Sequence, residues 1–166
     1  MTVDRASNIR TSIILPVATE RENYLKRMIY LLKREGCKQM DDLEELEFKD
    51  EESAFRTAKK LQKEAMKMLR EGDIRNAAEK AWGTTLNAVR GAILAKRIAE
   101  PGDLEVSTGV SKNIREAVPE NLVDEYFKRM GELHGACFYN GVCTGVERDI
   151  RRTGDIVRKF KEEARK

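Results

Sequence analysis

The sequence has few cysteines, prolines and aromatic residues, a single histidine and no long apolar run. Its 166 residues include 3 Cys, 3 Pro and 1 His, and 6% are aromatic. Such a chain lacks the turn-rich, aromatic-rich pattern of an all-β domain. The longest apolar stretches, such as residues 13–15, are far shorter than the ~18 residues of a transmembrane helix, and the N-terminus has no apolar signal core. We therefore expect a cytoplasmic protein without a membrane partner.

The cysteines predict neither a disulfide framework nor a zinc site. Cys37, Cys137 and Cys143 are odd in number and form no CxxC pair. We expect them to be ordinary thiols that pack as small hydrophobic groups.

Apolar and charged residues are both abundant. Of the chain, 40% is apolar and 37% is charged, with a net charge of +3. This length and composition suit one domain of long helices whose solvated faces carry ion pairs. Residues 41–52 hold eight acids and one base, so the remainder has 31 bases against 21 acids. This polarity favours an anionic partner, provided that the acidic segment lies away from the basic helices.

The first half of the chain predicts an N-terminal arm and three helices. We expect residues 1–17 to be extended and a helix to begin at a capping box at Thr19 and to end near Gly36. The acidic residues 41–52 are expected to form a loop or short helix. Apolar residues at helical spacing over 54–69 predict a long helix, which Gly72 ends; Asp73 then caps a second helix that runs to about residue 99. The short link makes these two helices antiparallel neighbours.

The second half predicts a long connection and two further helices. Residues 101–117 are expected to be a connection with one helical turn around 114–118. A helix should follow from Pro119 to about Phe138, and a capping box at Thr144 should open a last helix. The predicted fold is all-α, an up-and-down bundle of about five helices. Residues 1–48 would form the arm, an accessory helix and an acidic linker, and residues 49–166 a four-helix bundle.

Most catalytic signatures are missing. The sequence has no P-loop, GxGxxG, GxSxG, HExxH or EF-hand motif, and its one His cannot supply a di-iron site, so no cofactor and no metal are expected. Arg129 and His134 remain, because His can shuttle a proton and Arg can stabilise phosphorane charge in metal-independent RNA cleavage. The alternative is a hydrogen-bonded His at a helix interface, since His134 lies on the apolar stripe. Arg129 and His134 lie ~140° apart on an ideal helix. For the two side chains to meet, Gly131 and Gly135 would have to allow this turn of the helix to deviate from ideal geometry.

Several short motifs resemble those of a known family. They are Gly72-Asp73, Ala78-Glu79-Lys80-Ala81-Trp82-Gly83, Ala88-Val89, Glu132-Leu133-His134 and Phe138-Tyr139-Asn140-Gly141. Over about residues 50–162 the chain resembles the archaeal PaREP family, which is similar to the HEPN superfamily. The resemblance implies a helical up-and-down bundle, commonly dimeric, in a superfamily with many RNases that use an Arg-x4-6-His motif and with other members that bind without catalysis. Arg129 and His134 match that motif, whereas Met130 stands where active members have a polar residue.

Three functional hypotheses follow. The first choice is a homodimeric, or higher oligomeric, module that binds nucleic acid, a nucleotide or a protein partner. Its candidate RNA- or nucleotide-binding residues are Lys80, Arg148, Arg151 and Arg152. The alternative is a metal-independent RNase with Arg129 and His134 as catalytic residues. A purely architectural nucleic-acid-binding protein would need a continuous basic face and binding that weakens steeply with salt.

Overall fold

The computed structural model describes residues 48–166, and the predictions for the N-terminal arm, the first helix and residues 41–47 lie outside them. The described part is all-α, with no strand. None of the helices within it is long and apolar enough to cross a membrane. Its helices are α1 (Glu51–Arg70), α2 (Ile74–Ala95), a 3₁₀ helix (Pro101–Leu104), α3 (Ser107–Ala117), α4 (Glu120–Arg129), a π-helix (Met130–Tyr139), α5 (Val146–Arg151) and α6 (Thr153–Ala164).

The predicted central hairpin of α1 and α2 is confirmed. A capping box begins α1, in which Asp50 accepts a hydrogen bond from the Ser53 amide at 2.7 Å and Ser53 Oγ accepts one from the Asp50 amide at 3.1 Å. Gly72 ends the helix with φ +81°, a left-handed conformation that glycine adopts without strain. Asp73 then caps α2 by accepting from the Asn76 amide. The two helices pack along each other through this short turn.

Helix α2 is the centre of the fold because it is buried on nearly every side. Within residues 48–166 it contacts every other α-helix and the π-helix. Small residues let these neighbours approach closely, and Trp82, only 3% exposed, fills the space between them. Because α2 has neighbours on several faces, its side chains contact several other helices. One of these faces packs against the π-helix that carries His134.

The prediction of a long connection over 101–117 is wrong. The segment forms the 3₁₀ helix and α3, and it is anchored by Arg90 of α2, which donates from Nε to the Leu104 carbonyl at 2.9 Å and from Nη2 to the Glu105 carbonyl at 2.6 Å. Burial lowers the pKa of Arg90 to about 10. This anchor spans 14 to 15 residues of sequence, so local patterns do not show it.

The predicted helix from Pro119 to about Phe138 exists, but its second half is wound differently. It begins at Glu120 as α4 and continues from Met130 to Tyr139 as a π-helix. A π-helix bonds each amide to the carbonyl five residues back, as the Asn140 amide does to Gly135 at 3.2 Å. It therefore turns less per residue than the α-helix on which the ~140° angle between Arg129 and His134 was based.

The C-terminal prediction needs two corrections. The single last helix is divided at Arg152 into α5 and α6, where the Thr153 hydroxyl donates to the Asp149 carbonyl at 3.1 Å. The predicted cap at Thr144 is also wrong, because the N-cap residue of α5 is Gly145, which has φ +80° and makes no side-chain cap hydrogen bond. Gly154 lies so close to α1 that a Cβ there would be 2.2 Å from Gln62 Nε2.

The prediction of ordinary thiols is wrong for two of the three cysteines. Cys137 and Cys143 form a disulfide between the π-helix and the loop that follows it. Their Cα atoms lie 4.3 Å apart because the chain reverses at Gly141, which has φ +72°. The spacing of six residues did not reveal this reversal.

Candidate nucleic-acid interface

Arg129 is a buried structural anchor in this conformation. Its residue is 1% exposed. Nε donates to Glu125 Oε1 at 2.8 Å, Nη1 to Thr153 Oγ1 at 3.0 Å and Nη2 to the Asp149 carbonyl at 3.0 Å. The guanidinium thus ties the end of α4 to the junction of α5 and α6.

His134 lies on a different contact surface, between the π-helix and α2. Its Nδ1 is 2.7 Å from Glu79 Oε2, and the two side chains are 29% and 31% exposed. Because an ionised carboxylate only accepts hydrogen bonds, the neutral imidazole donates from Nδ1 and leaves Nε2 as an acceptor. Every buried side-chain nitrogen and oxygen in residues 48–166 has a partner. Nε2 has no hydrogen-bond partner within residues 48–166.

The structure therefore gives Arg129 and His134 separate partners. Arg129 binds α5 and α6, whereas His134 binds α2, and no hydrogen bond or ion pair joins the two among the described residues. The carboxylate beside His134 comes from Glu79, 55 residues away. In the sequence, Glu79 stands out only as a member of the Ala78–Gly83 motif, and that motif does not indicate that Glu79 contacts His134.

Aromatic rings surround His134. Trp82 lies beneath it with a centroid distance of 5.7 Å, Phe138 is nearly parallel to it at 6.2 Å and 10°, and Tyr139 meets it edge-on at 4.7 Å. Tyr139 is 63% exposed. The cluster therefore runs from the buried core at Trp82 to the surface at Tyr139.

Arg75 adds a fixed cation to this cluster. It lies on α2, one turn before Glu79, and donates from Nε to the Phe138 carbonyl at 2.5 Å and from Nη2 to the Tyr139 carbonyl at 3.4 Å. Its Cζ is 5.8 Å from the centre of the Phe138 ring. Sequence reasoning did not single out Arg75, because its acceptors are backbone carbonyls more than 60 residues away.

The other predicted binding residues differ in how free their charges are. Lys80 is 2.9 Å from Glu64 and its side chain is 23% exposed. Arg151 is exposed and lies 3.9 Å from Glu147. Two exposed cations, one in α5 and one at the junction with α6, have no ion-pair partner within residues 48–166: Arg148 and Arg152.

A groove of about 410 Å³ lies beside this basic region, between the π-helix and the loop into α5. Lys128, Asp149 and Arg148 line it. Lys128 Nζ is 3.4 Å from Asp149 Oδ2, so part of the charge is internally neutralised. In the part of the chain that the structure describes, no group of three or more His, Cys, Asp or Glu side chains could hold a metal ion.

The helices that pack around α2 define an all-α bundle protein. It has two polar surfaces, one at Arg129 and one at His134. The sequence model of the archaeal PaREP1/PaREP8 family matches residues 53–159. The chain therefore belongs to this family, and the match spans the region that contains both polar surfaces. No curated protein and no solved structure matches the chain significantly.

Proposed function

We propose that this protein is a homodimeric, cytoplasmic module that binds single-stranded RNA. The observation that supports the proposal most is the pair Arg148 and Arg152, whose exposed guanidinium groups have no ion-pair partner within residues 48–166. An exposed cation that the protein does not neutralise is available to a phosphate, and guanidinium binds phosphate with two parallel hydrogen bonds. A dimer would present two such surfaces to one strand.

The two other candidate cations, Arg151 and Lys80, are expected to contribute less to RNA binding than Arg148 and Arg152. Arg151 extends it with a second exposed guanidinium in α5. Lys80 contributes less, because its ammonium group is already 2.9 Å from Glu64. The proposal therefore gives Arg148 and Arg152 the main role, Arg151 a supporting role and Lys80 a minor one.

Salt-dependent binding tests the proposal. Fluorescence anisotropy with labelled single-stranded RNA would give Kd across a salt series for the parent protein, Arg148→Ala and Arg152→Ala. Each lost phosphate contact should lower the slope of log K against log salt by about 0.7. Arg115→Ala is the matched control, because it removes the same charge from α3, where Arg115 is paired with Glu120.

Two results would contradict this function. One is an absence of RNA binding at low salt. The other is an equal effect of the Arg148, Arg152 and Arg115 variants, since net charge alone would then explain the binding. Light scattering tests the dimer separately, and a monomer at all concentrations would refute that part.

A metal-independent RNase is the second candidate, and the contact between His134 and Glu79 favours it. A carboxylate at Nδ1 orients the ring and leaves Nε2 open to a substrate. In such a reaction Nε2 would take the proton of a ribose 2′-hydroxyl while the 2′-oxygen bonds to phosphorus and the P–O5′ bond breaks. The protonated ring would then return this proton to the leaving 5′-oxygen, so that the products would be a 2′,3′-cyclic phosphate and a free 5′-hydroxyl. Arg129 as the stabilising cation would first have to leave its three buried hydrogen bonds.

Incubation with single-stranded RNA in EDTA distinguishes the two candidates. Cleavage that is lost in His134→Ala and reduced in Glu79→Gln would support the RNase. Intact RNA with the parent protein would refute it and leave the binding function unaffected.

A further inference from the structure

The aromatic cluster at the π-helix combines groups that come from two distant segments. Arg75, Glu79 and Trp82 are spaced i, i+4 and i+7 and therefore share one face of α2. The π-helix places His134 and its two following aromatic residues against that face. We call the surface formed by Arg75, Glu79, His134, Phe138 and Tyr139 the aromatic patch.

The aromatic patch presents an exposed aromatic ring to solvent. Tyr139 is 63% exposed, although an aromatic ring that packs against its neighbours is usually more buried. Its ring meets the rings of His134 at 4.7 Å and Phe138 at 5.2 Å, so its position is supported from two sides. A supported ring that is largely exposed is a suitable surface on which a planar group can stack.

The polar groups of the aromatic patch are mainly acceptors. Glu79 uses Oε2 for His134, whereas Oε1 has no partner within residues 48–166. Nε2 of the neutral imidazole is a second acceptor, and it has no partner within residues 48–166. A carboxylate next to an acceptor nitrogen attracts N–H donors and repels carbonyl oxygens.

Arg75 supplies the positive charge. Two of its nitrogens bind the carbonyls of Phe138 and Tyr139, which fixes the guanidinium at the edge of the rings. Its remaining N–H donors can meet an anion, since guanidinium has five in all. A stacking ring, acceptors for amino groups and a cation are the features that recognise an unpaired nucleobase together with its phosphate.

We propose that the aromatic patch binds one base of single-stranded RNA, with a preference for bases that carry an exocyclic amino group. The base stacks on Tyr139, its amino group donates to Glu79 Oε1 and the adjacent phosphate meets Arg75. Glutamate accepts from the N4 amino group of cytosine in the same way at other protein–nucleic acid interfaces. Adenine, guanine and cytosine present an exocyclic amino group to this acceptor, whereas uracil has carbonyl oxygens at its exocyclic positions and only its ring N3–H as a Watson–Crick donor. This inference rests on the proposed RNA-binding function and adds a site that is separate from Arg148 and Arg152.

The test compares homopolymers of A, C and U by fluorescence anisotropy with the full chain. We expect A and C to bind more tightly than U, and Tyr139→Ala to raise Kd for all three by about ten-fold or more. Tyr139→Phe should restore binding because the stacking face remains. Glu79→Gln should remove the preference against U, because an amide both donates and accepts. Val106→Ala is the control, since Val106 is equally exposed at 62% but lies at the start of α3.

Trp82 gives a second readout without a strand. It is the one tryptophan in the chain, and its ring lies 5.7 Å from that of His134. Titration with CMP should change its fluorescence more than titration with UMP, and Tyr139→Ala should reduce both changes.

The outcomes separate the two proposals. If RNA binds and depends on Arg148 and Arg152, but Tyr139→Ala matches Val106→Ala, the aromatic patch is refuted and the RNA-binding function stands. Equal affinity for the three homopolymers in the parent protein refutes the preference for amino groups. If no strand binds at any salt concentration, both proposals fail.

Discussion

Replacement of Arg129 by alanine should destabilise the fold far more than an ordinary substitution. The side chain is almost fully buried and joins α4 to two segments that are 20 to 24 residues later in the chain. Alanine removes all three hydrogen bonds and the packing of the aliphatic stem. The cost therefore combines lost hydrogen bonds with a cavity.

The expected magnitude follows from the partners that remain. Removal of one member of a buried charged pair typically costs about 3–5 kcal/mol. Glu125 is 27% exposed and regains water, and the Asp149 carbonyl keeps its bond from the Thr153 hydroxyl. Both effects place Arg129→Ala near the lower limit, at about 3–4 kcal/mol, or a fall in Tm of about 10 °C for a chain of this size.

Chemical unfolding followed by far-UV circular dichroism measures this loss. Arg129→Met keeps much of the apolar stem and should cost less than Arg129→Ala. Arg56→Ala is the matched control, because Arg56 is 70% exposed and its ion pair with Glu52 at 3.8 Å lies at the surface; it should cost less than about 1 kcal/mol. A loss below about 1 kcal/mol for Arg129→Ala, with an unchanged m-value, would refute the structural role of the guanidinium.

The remaining predictions concern a close approach, the disulfide and a buried phenol. Gly109→Ala should lower the free energy of unfolding by about 1–3 kcal/mol, because its Cβ would lie 1.8 Å from a backbone oxygen of the 3₁₀ helix. Gly102→Ala is the control and should be nearly neutral, because there is open space around Gly102. Equal unfolding midpoints for the two variants would contradict the close packing at Gly109. Reduction of the Cys137–Cys143 bond should lower the free energy of unfolding by about 2 kcal/mol, and a dithiol should have no further effect once both residues are replaced by serine. Burial raises the pKa of Tyr126, so its contribution to stability is intact below the ordinary pKa of about 10 and is lost as pH rises further. In alkaline unfolding experiments Tyr126→Phe should therefore lose less stability than the parent. Parallel curves of unfolding free energy against pH for the two proteins would refute this.

The helices with strong local signals could be predicted from the sequence. The apolar stripe, the turn at Gly72 and the cap at Asp73 are properties of neighbouring residues, and α1 and α2 follow them closely. The segment before Pro119 could not, because Arg90 holds the 3₁₀ helix that precedes α3, and Gly109 of α3 packs closely against that 3₁₀ helix. The close approach of Gly154 to Gln62, just after the split at Arg152, is likewise a long-range contact that local patterns do not show.

The residues of the candidate site could also be predicted only in part from the sequence. The sequence pointed to His134, because it is the single His and follows Arg129 at the spacing of an Arg-x4-His motif, and to Arg148 and Arg152 as outward-facing cations. It did not show that Glu79 and Arg75 meet the π-helix, or that Tyr139 remains exposed beside them.

The sequence by itself determined the all-α class, the central hairpin and the position of the basic residues along the chain, because periodicity, capping and charge act over a few residues. The tertiary structure alone decided that Arg129 is an anchor, that His134 pairs with Glu79 and that Cys137 meets Cys143. These pairings depend on the π winding and on how helices pack against α2. Side chains with the same local pattern therefore acquire different roles according to the neighbour that the fold brings to them.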